Sequence, residues 1–162
     1  MNREDATSAK SNAKNTGESN FWCFRSGQAD PVDEEIELLA EQVIRAAIEV
    51  HRRLGIGLPE VAYRNAMHHE LTIRGIECEP EAPGPLEYKG VRVAEGRVDL
   101  LVGKRLVVEL KVVEQLGPIQ IAQVVAYLAA MNLPLGLLLN FNHMTMKDGI
   151  KRVIHTKASS SR

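Results

Sequence analysis

Net charge is almost absent from this chain: 20 lysines and arginines against 21 aspartates and glutamates leave −1 at pH 7 over 162 residues. No global basic field therefore announces a nucleic-acid partner, and any such contact has to come from a local patch. Cysteine is scarce as well. Cys23 and Cys78 lie far apart in sequence, which argues against a disulfide scaffold and fits a reducing cytosol. Long hydrophobic runs are missing: LPLGLLLNF, near the end, is too short to span a bilayer. The opening residues MNREDATSAK lack the apolar stretch of a secretory signal. These absences lead to the expectation of a cytoplasmic, soluble protein with no membrane partner.

What is present is an ordinary globular composition, 44% hydrophobic and 25% charged, at a length that suits one domain with a real core. Residues 1–30 are rich in Ser, Asn, Lys, Gly and Asp and offer little to bury, so they read as a mostly disordered tail. The FWCF cluster inside it reads as an incidental patch rather than a docking segment. The domain is expected over 31–157, with a flexible end at 158–162. No internal repeat is visible.

From Asp33 the pattern becomes periodic. Asp33 suits a helix N-cap, and Glu34 and Glu35 suit the positive end of the helix dipole. Ile36, Leu39, Val43, Ala47, Val50 and Leu54 then form an apolar stripe that Gly55 and Gly57 stop. A second helix opens at Pro59 and Glu60, with Val61, Met67 and Leu71 as its expected buried side. The segment IECEPEAPGPLEYKGVRV, with three prolines, suggests a short strand over 76–79, a loop, and an edge strand over 86–88. Two strands follow, over 93–102 and 106–113. A third helix begins at Gly117-Pro118, with Ile121, Val124, Val125 and Leu128 as its apolar face. LGLLLNF reads as a buried strand, and MKDGIKRVIH as a short final helix or strand. The fold class is α/β, a mixed central sheet flanked by helices.

Asp99, Glu109 and Lys111 interrupt the apolar strands. Glu109 and Lys111 share a face, because strand side chains alternate. A two-residue turn would place Asp99 opposite Val108, on the wrong face. A three-residue turn at 103–105, or a bulge, places Asp99 opposite Glu109, about 4.5–5.5 Å away between Cβ atoms. Two carboxylates so placed repel and raise each other's pKa, and a divalent cation relieves this. Oxygen ligands suit Mg²⁺ or Mn²⁺, the Leu110 carbonyl could add one more, and Lys111 would stabilise developing phosphorane charge. A salt-bridge network on a solvated sheet face is the competing reading of the same spacing. Glu60 and Tyr63 lie along one side of the second helix, and Gln123 and Tyr127 along one face of the third. Each pair could line the cleft. Each also has a plain structural reading: a dipole-stabilising acid, a surface hydrogen bond, a core aromatic. Arg97, on the Asp99 face, could meet phosphate or pair with an acid. Of the remaining polar residues, His51 reads as packing, His68 and His69 as surface groups, and Asn140 as a loop clamp. His143 is a distant candidate for the cleft. Lys147, Lys151, Arg152 and Lys157 read as a solvated basic cluster.

Asp99 with Glu109-Leu110-Lys111 resembles the D…(D/E)xK signature of the PD-(D/E)xK nuclease superfamily, whose restriction-endonuclease-like core has the same element order. Gly57, Glu60 and Tyr63 match the pattern that names the GxxExxY family, a branch of that superfamily. Gln123 and Tyr127 are similar to the QxxxY element of RecB-type nucleases; Gln120 stands where a His often precedes it. Glu60 is similar to the helix Glu that completes the metal site in archaeal Holliday-junction-resolvase-like members. The resemblance runs from about residue 39 to 153 and includes EYKGVRV, VVELKVVEQL and KDGIKRV. It implies a Mg²⁺- or Mn²⁺-dependent nuclease acting on DNA, with RNA open. Asp99 and Glu109 would be metal ligands, Lys111 the catalytic lysine, Glu60 an auxiliary ligand or water-orienting acid, and Gln123 and Tyr127 site supports. Because the superfamily includes catalytically silent binding proteins, a nucleic-acid-binding or protein-assembly module on the same fold is the alternative. Two paired copies would make a two-sided nuclease, although the sequence shows no interface.

Overall fold

The computed structural model describes residues 32–156 and the backbone of Cys23–Phe24. The expected disordered tail and the FWCF cluster lie outside the described residues, apart from that two-residue backbone, as do Lys157 and the C-terminal end. Element order is β1 (Cys23–Phe24), α1 (Glu34–Leu54), α2 (Glu60–Ile73), β2 (Cys78–Tyr88), β3 (Val91–Val102), β4 (Leu106–Lys111), α3 (Pro118–Met131), β5 (Leu135–Asn140), a short 3₁₀ turn (Met146–Gly149) and β6 (Ile150–Ile154). The strands form one mixed sheet in the order β1-β6-β5-β4-β3-β2. β4 runs parallel to β5 and β1 to β6, while the other neighbours are antiparallel. No helix among the described residues is long and apolar enough to cross a membrane.

α1 begins where Asp33 accepts the Ile36 N–H at 3.0 Å, and ends at Gly55, which takes φ +69°. Its buried stripe is Ile36, Ala40, Val43, Ala46, Ala47 and Val50; Leu54 lies beyond it and is exposed. On α2 the buried side is Tyr63, Met67 and Leu71, spaced by four, whereas Val61 points outward, contrary to expectation. α1 and α2 pack on one face of the sheet, against Leu100, Val102, Leu106, Val108, Leu110, Leu135, Leu137 and Leu139. α3 covers the other face through Val124 and Leu128 against Val107, Leu138 and Val153. β5 is sandwiched between the layers and fully buried, which is why it reads as a continuous apolar run.

The proline-rich segment is one strand of 11 residues, not two short pieces. β2 is the last strand of the sheet, so it has a free edge where a missing proline N–H leaves no ladder bond unmade. Strict alternation would put Val98 on the same face as Leu100. Instead Val98 and its partner Ala82 pack in the α3 layer, while Leu100 packs in the α1/α2 layer. The hairpin therefore changes face at Glu81 and Asp99, where Glu81 takes φ +52°. At its far end Lys89 and Gly90 both have positive φ, the backbone of a tight type I′ hairpin turn.

Candidate active site

Three residues, Gly103, Lys104 and Arg105, connect β3 to β4, with Gly103 and Lys104 at φ +56° and +58° and the Arg105 N–H donating to Val102 O at 3.1 Å. The resulting register pairs Val102 with Leu106, Leu101 with Val107 and Leu100 with Val108. One further step sets Asp99 opposite Glu109, as the three-residue turn requires. The ladder itself stops at Leu100, and the Asp99 side chain replaces it: Oδ2 accepts the Leu110 N–H at 2.8 Å. β4 ends at Lys111 rather than at residue 113, because Asn140 clamps the chain that follows. Asn140, fully buried, accepts the Val113 N–H at 3.1 Å and donates to Val113 O at 2.8 Å.

Asp99 is 8% exposed and Glu109 3%. Lys111 Nζ donates to Glu109 Oε1 at 2.8 Å, while Glu109 Oε2 is buried and has no hydrogen-bond partner among the described residues. Burial, and next the charge of Asp99, push the Glu109 pKa above the ordinary carboxylate range; the hydrogen bond and charge of Lys111 offset this only in part. Burial works against the Lys111 ammonium, yet its bond to Glu109 and the charges of Glu109, Glu60 and Asp99 outweigh it and hold its pKa up. The two shifts are compatible. The ammonium feels three carboxylates, whereas the Glu109 carboxylate has one ammonium against burial and a like charge.

Glu60, half-buried in the first turn of α2, reaches this group through its field. Burial raises its pKa; Lys111 lowers it, Asp99 raises it and Arg64 lowers it. Tyr63 fixes where α2 begins. Its hydroxyl donates to Gly55 O at 2.8 Å and accepts the Leu58 N–H at 3.2 Å, and its ring stacks on Phe141 at 4.5 Å. Gly57, at φ +94°, supplies the left-handed backbone this loop needs. Tyr63 is thus a buried support beneath Glu60 and does not line a cleft.

Sequence reasoning missed Arg64. It lies four residues after Glu60, on the same helical face, and that spacing was the available signal. Its guanidinium stands 3.4 Å from Asp99 Oδ1 and 3.7 Å from Glu81 Oε1.

Gln123 and Tyr127 are half-buried on α3, and no hydrogen bond among the described residues joins either to the two strand carboxylates. Tyr127 lies across the paired Gly84 and Gly96: a Cβ built on Gly96 would stand 2.6 Å from its ring. Gln120 closes the start of α3 by accepting the Gly117 N–H at 2.9 Å. Arg97 is exposed and reaches Glu81 O at 3.5 Å. His51 bonds the His143 carbonyl at 2.8 Å, and His69 is exposed on α2. Arg152 pairs with Glu37 at 2.5 Å.

The orphaned Glu109 Oε2 beside Asp99 is the observation that fits a divalent cation, since both residues offer hard oxygen donors on adjacent strands. Among the described residues, no group of three or more His, Cys, Asp or Glu is drawn close enough to hold a metal, so Glu60 does not form such a group with Asp99 and Glu109. The sequence profile of the PD-(D/E)XK nuclease superfamily matches residues 37–153, more than two thirds of the chain and every element from α1 to β6. No curated protein and no solved structure matches the chain.

Proposed function

The chain belongs to the PD-(D/E)XK nuclease superfamily, and from that premise we propose that it is a divalent-metal-dependent nuclease acting on DNA, with Mg²⁺ or Mn²⁺ as its cation. One observation carries this reading: two carboxylates, Asp99 and Glu109, are buried on adjacent strands, and Glu109 holds Lys111 on Oε1 while its Oε2 has no partner among the described residues. Asp99 Oδ1 and Glu109 Oε2 are the atoms that would hold the cation. When bound, it supplies Lewis-acid polarisation of the phosphodiester and activation of water.

The chain's own groups do the rest. The Leu110 N–H orients Asp99 through Oδ2, which leaves Oδ1 facing Arg64 at 3.4 Å as the oxygen that would turn to the cation. Lys111 keeps its proton and offers positive charge to the oxygens of the reacting phosphate. Glu60, its pKa raised by burial, would orient water or take a proton. Gln123 and Tyr127 support the cleft wall from α3. Gly57, Glu60 and Tyr63 favour membership of the GxxExxY branch. We further propose that residues 31–157 form the catalytic domain and that the protein works in the cytoplasm.

One observation favours the catalytically silent module instead, namely that Glu60 does not complete a three-acid cluster. A cleavage screen decides between the two, using Mn²⁺ with single-stranded, duplex and branched DNA and RNA. The nuclease reading expects cleavage by wild-type protein and none by Lys111→Ala or Asp99→Ala at retained fold. Full activity in both variants refutes it.

A further inference from the structure

We propose that Arg64 is a counter-ion that changes partner, balancing Asp99 in the cation-free protein and turning to a substrate phosphate when it yields Asp99 Oδ1 to a divalent cation. The inference rests on the metal reading above.

The distances point this way. Charge-assisted N–H···O bonds in a settled ion pair run about 2.7–2.9 Å, as Lys111 to Glu109 does at 2.8 Å. Arg64 makes no such contact. It is divided between Asp99 Oδ1 at 3.4 Å and Glu81 Oε1 at 3.7 Å, on two strands, with its side chain 21% exposed. A guanidinium has five donors in a planar fork suited to phosphate, and among the described residues Arg64 makes one hydrogen bond, to Asp99 Oδ1. The helix carrying Arg64 is itself well fixed, since Tyr63 and Met67 on either side are fully buried. The loose grip therefore belongs to the side chain.

Charge balance gives the same direction. Glu60, Glu81, Asp99 and Glu109 set against Lys111 and Arg64 leave two net negative charges. A divalent cation cancels them, so the carboxylates no longer need Arg64 as a counter-ion and its charge is left for an anionic phosphodiester. A cation on Asp99 Oδ1 also repels the guanidinium from it, while Arg64 remains within reach of the same pocket.

The test uses full-length wild-type protein, Arg64→Gln, Arg64→Lys and, as a control for lost surface charge, Arg45→Gln, whose pair with Glu41 lies exposed on α1. Mn²⁺ binding is measured by calorimetry without nucleic acid. Binding of a short fluorescein-labelled DNA duplex is measured by anisotropy in Ca²⁺ across a salt series. Arg64→Gln should bind Mn²⁺ about threefold or more tightly, because a competing charge is gone. It should hold the duplex more weakly, with a salt slope shallower by about one unit. Arg64→Lys keeps the charge but loses the fork, so its Mn²⁺ affinity should stay near wild type while duplex binding falls. Arg45→Gln should change neither. A purely structural arginine would weaken both affinities together, and that result overturns the proposal. So does unchanged duplex binding in either Arg64 variant. Mn²⁺ uptake by wild type with no gain in Arg64→Gln removes this inference alone, whereas no uptake by wild type removes the metal reading with it.

Discussion

Glu109→Gln should stabilise the protein when no cation is present and make it indifferent to cations. The wild-type carboxylate is 3% exposed, has one unpartnered oxygen and stands beside Asp99. Its folded pKa is therefore raised above the unfolded value near 4.5. A carboxyl group with a raised folded pKa contributes its full stability below the unfolded pKa and loses it as pH climbs through the folded one. Glutamine keeps the shape without the charge, so the two proteins should be nearly equal around pH 4.5. The variant should gain as pH rises towards 8. Each unit of upward displacement is worth about 1.4 kcal/mol, and in a domain of this size about 1 kcal/mol moves Tm by roughly 4 °C. Lys111 loses its closest partner in the variant but keeps Glu60 and Asp99, so the gain is reduced and not reversed. Saturating Mn²⁺, at about 100 times its Kd, should add about 2.7 kcal/mol to wild type and far less to Glu109→Gln. Thermal unfolding at several pH values, with chelator and with Mn²⁺, reads both effects. A variant that is less stable at pH 8, or that keeps the full Mn²⁺ shift, refutes the account of Glu109.

Asp99→Ala should cost about 1–3 kcal/mol by leaving the buried Leu110 N–H unpaired, whereas Asp99→Asn keeps an acceptor and should cost less; denaturant titration ranks them. Tyr63→Phe removes the hydroxyl that ties Gly55 to Leu58 and should cost about 1–3 kcal/mol, with faster amide exchange confined to the start of α2. Gly96→Ala puts a methyl 2.6 Å from the Tyr127 ring and should destabilise by about 1–3 kcal/mol. Adding Tyr127→Ala should reverse most of the Gly96 penalty in a double-mutant cycle, and strict additivity would refute the packing.

The chain of layers was legible because its signals are local. Asp33 caps α1, Gly55 stops it, and the all-apolar LGLLLNF marks the strand buried between layers. The approach of Asp99 to Glu109 was legible in part: the length of one turn fixes the register up to Leu100 and Val108, but the alternation breaks at Asp99 itself. Three details were hidden. β2 continues through its prolines because it lies at the sheet edge, which is a property of strand order and not of the segment. Val61 is exposed where burial was expected, because Tyr63 takes the buried side of α2 by stacking on Phe141, nearly eighty residues away. Arg64 escaped notice because its partners come from β2 and β3, beyond any local window.

The residues that resemble a catalytic motif divide by what they touch. Gly57 and Tyr63 touch no strand carboxylate; they fix the loop from which α2 starts. That loop decides the position of Glu60, and one helical turn later that of Arg64. One acid and one base are thereby delivered together to the point where the β2–β3 hairpin changes face. If it did not change face there, Asp99 would follow Leu100 and Val98 in strict alternation, and only one layer could address it. The reversal at Glu81 and Asp99 lets the same carboxylate accept the Leu110 N–H from β4 and the Arg64 guanidinium from α2. The irregular backbone beside the site is thus what brings a helix and two strands to one pair of oxygens.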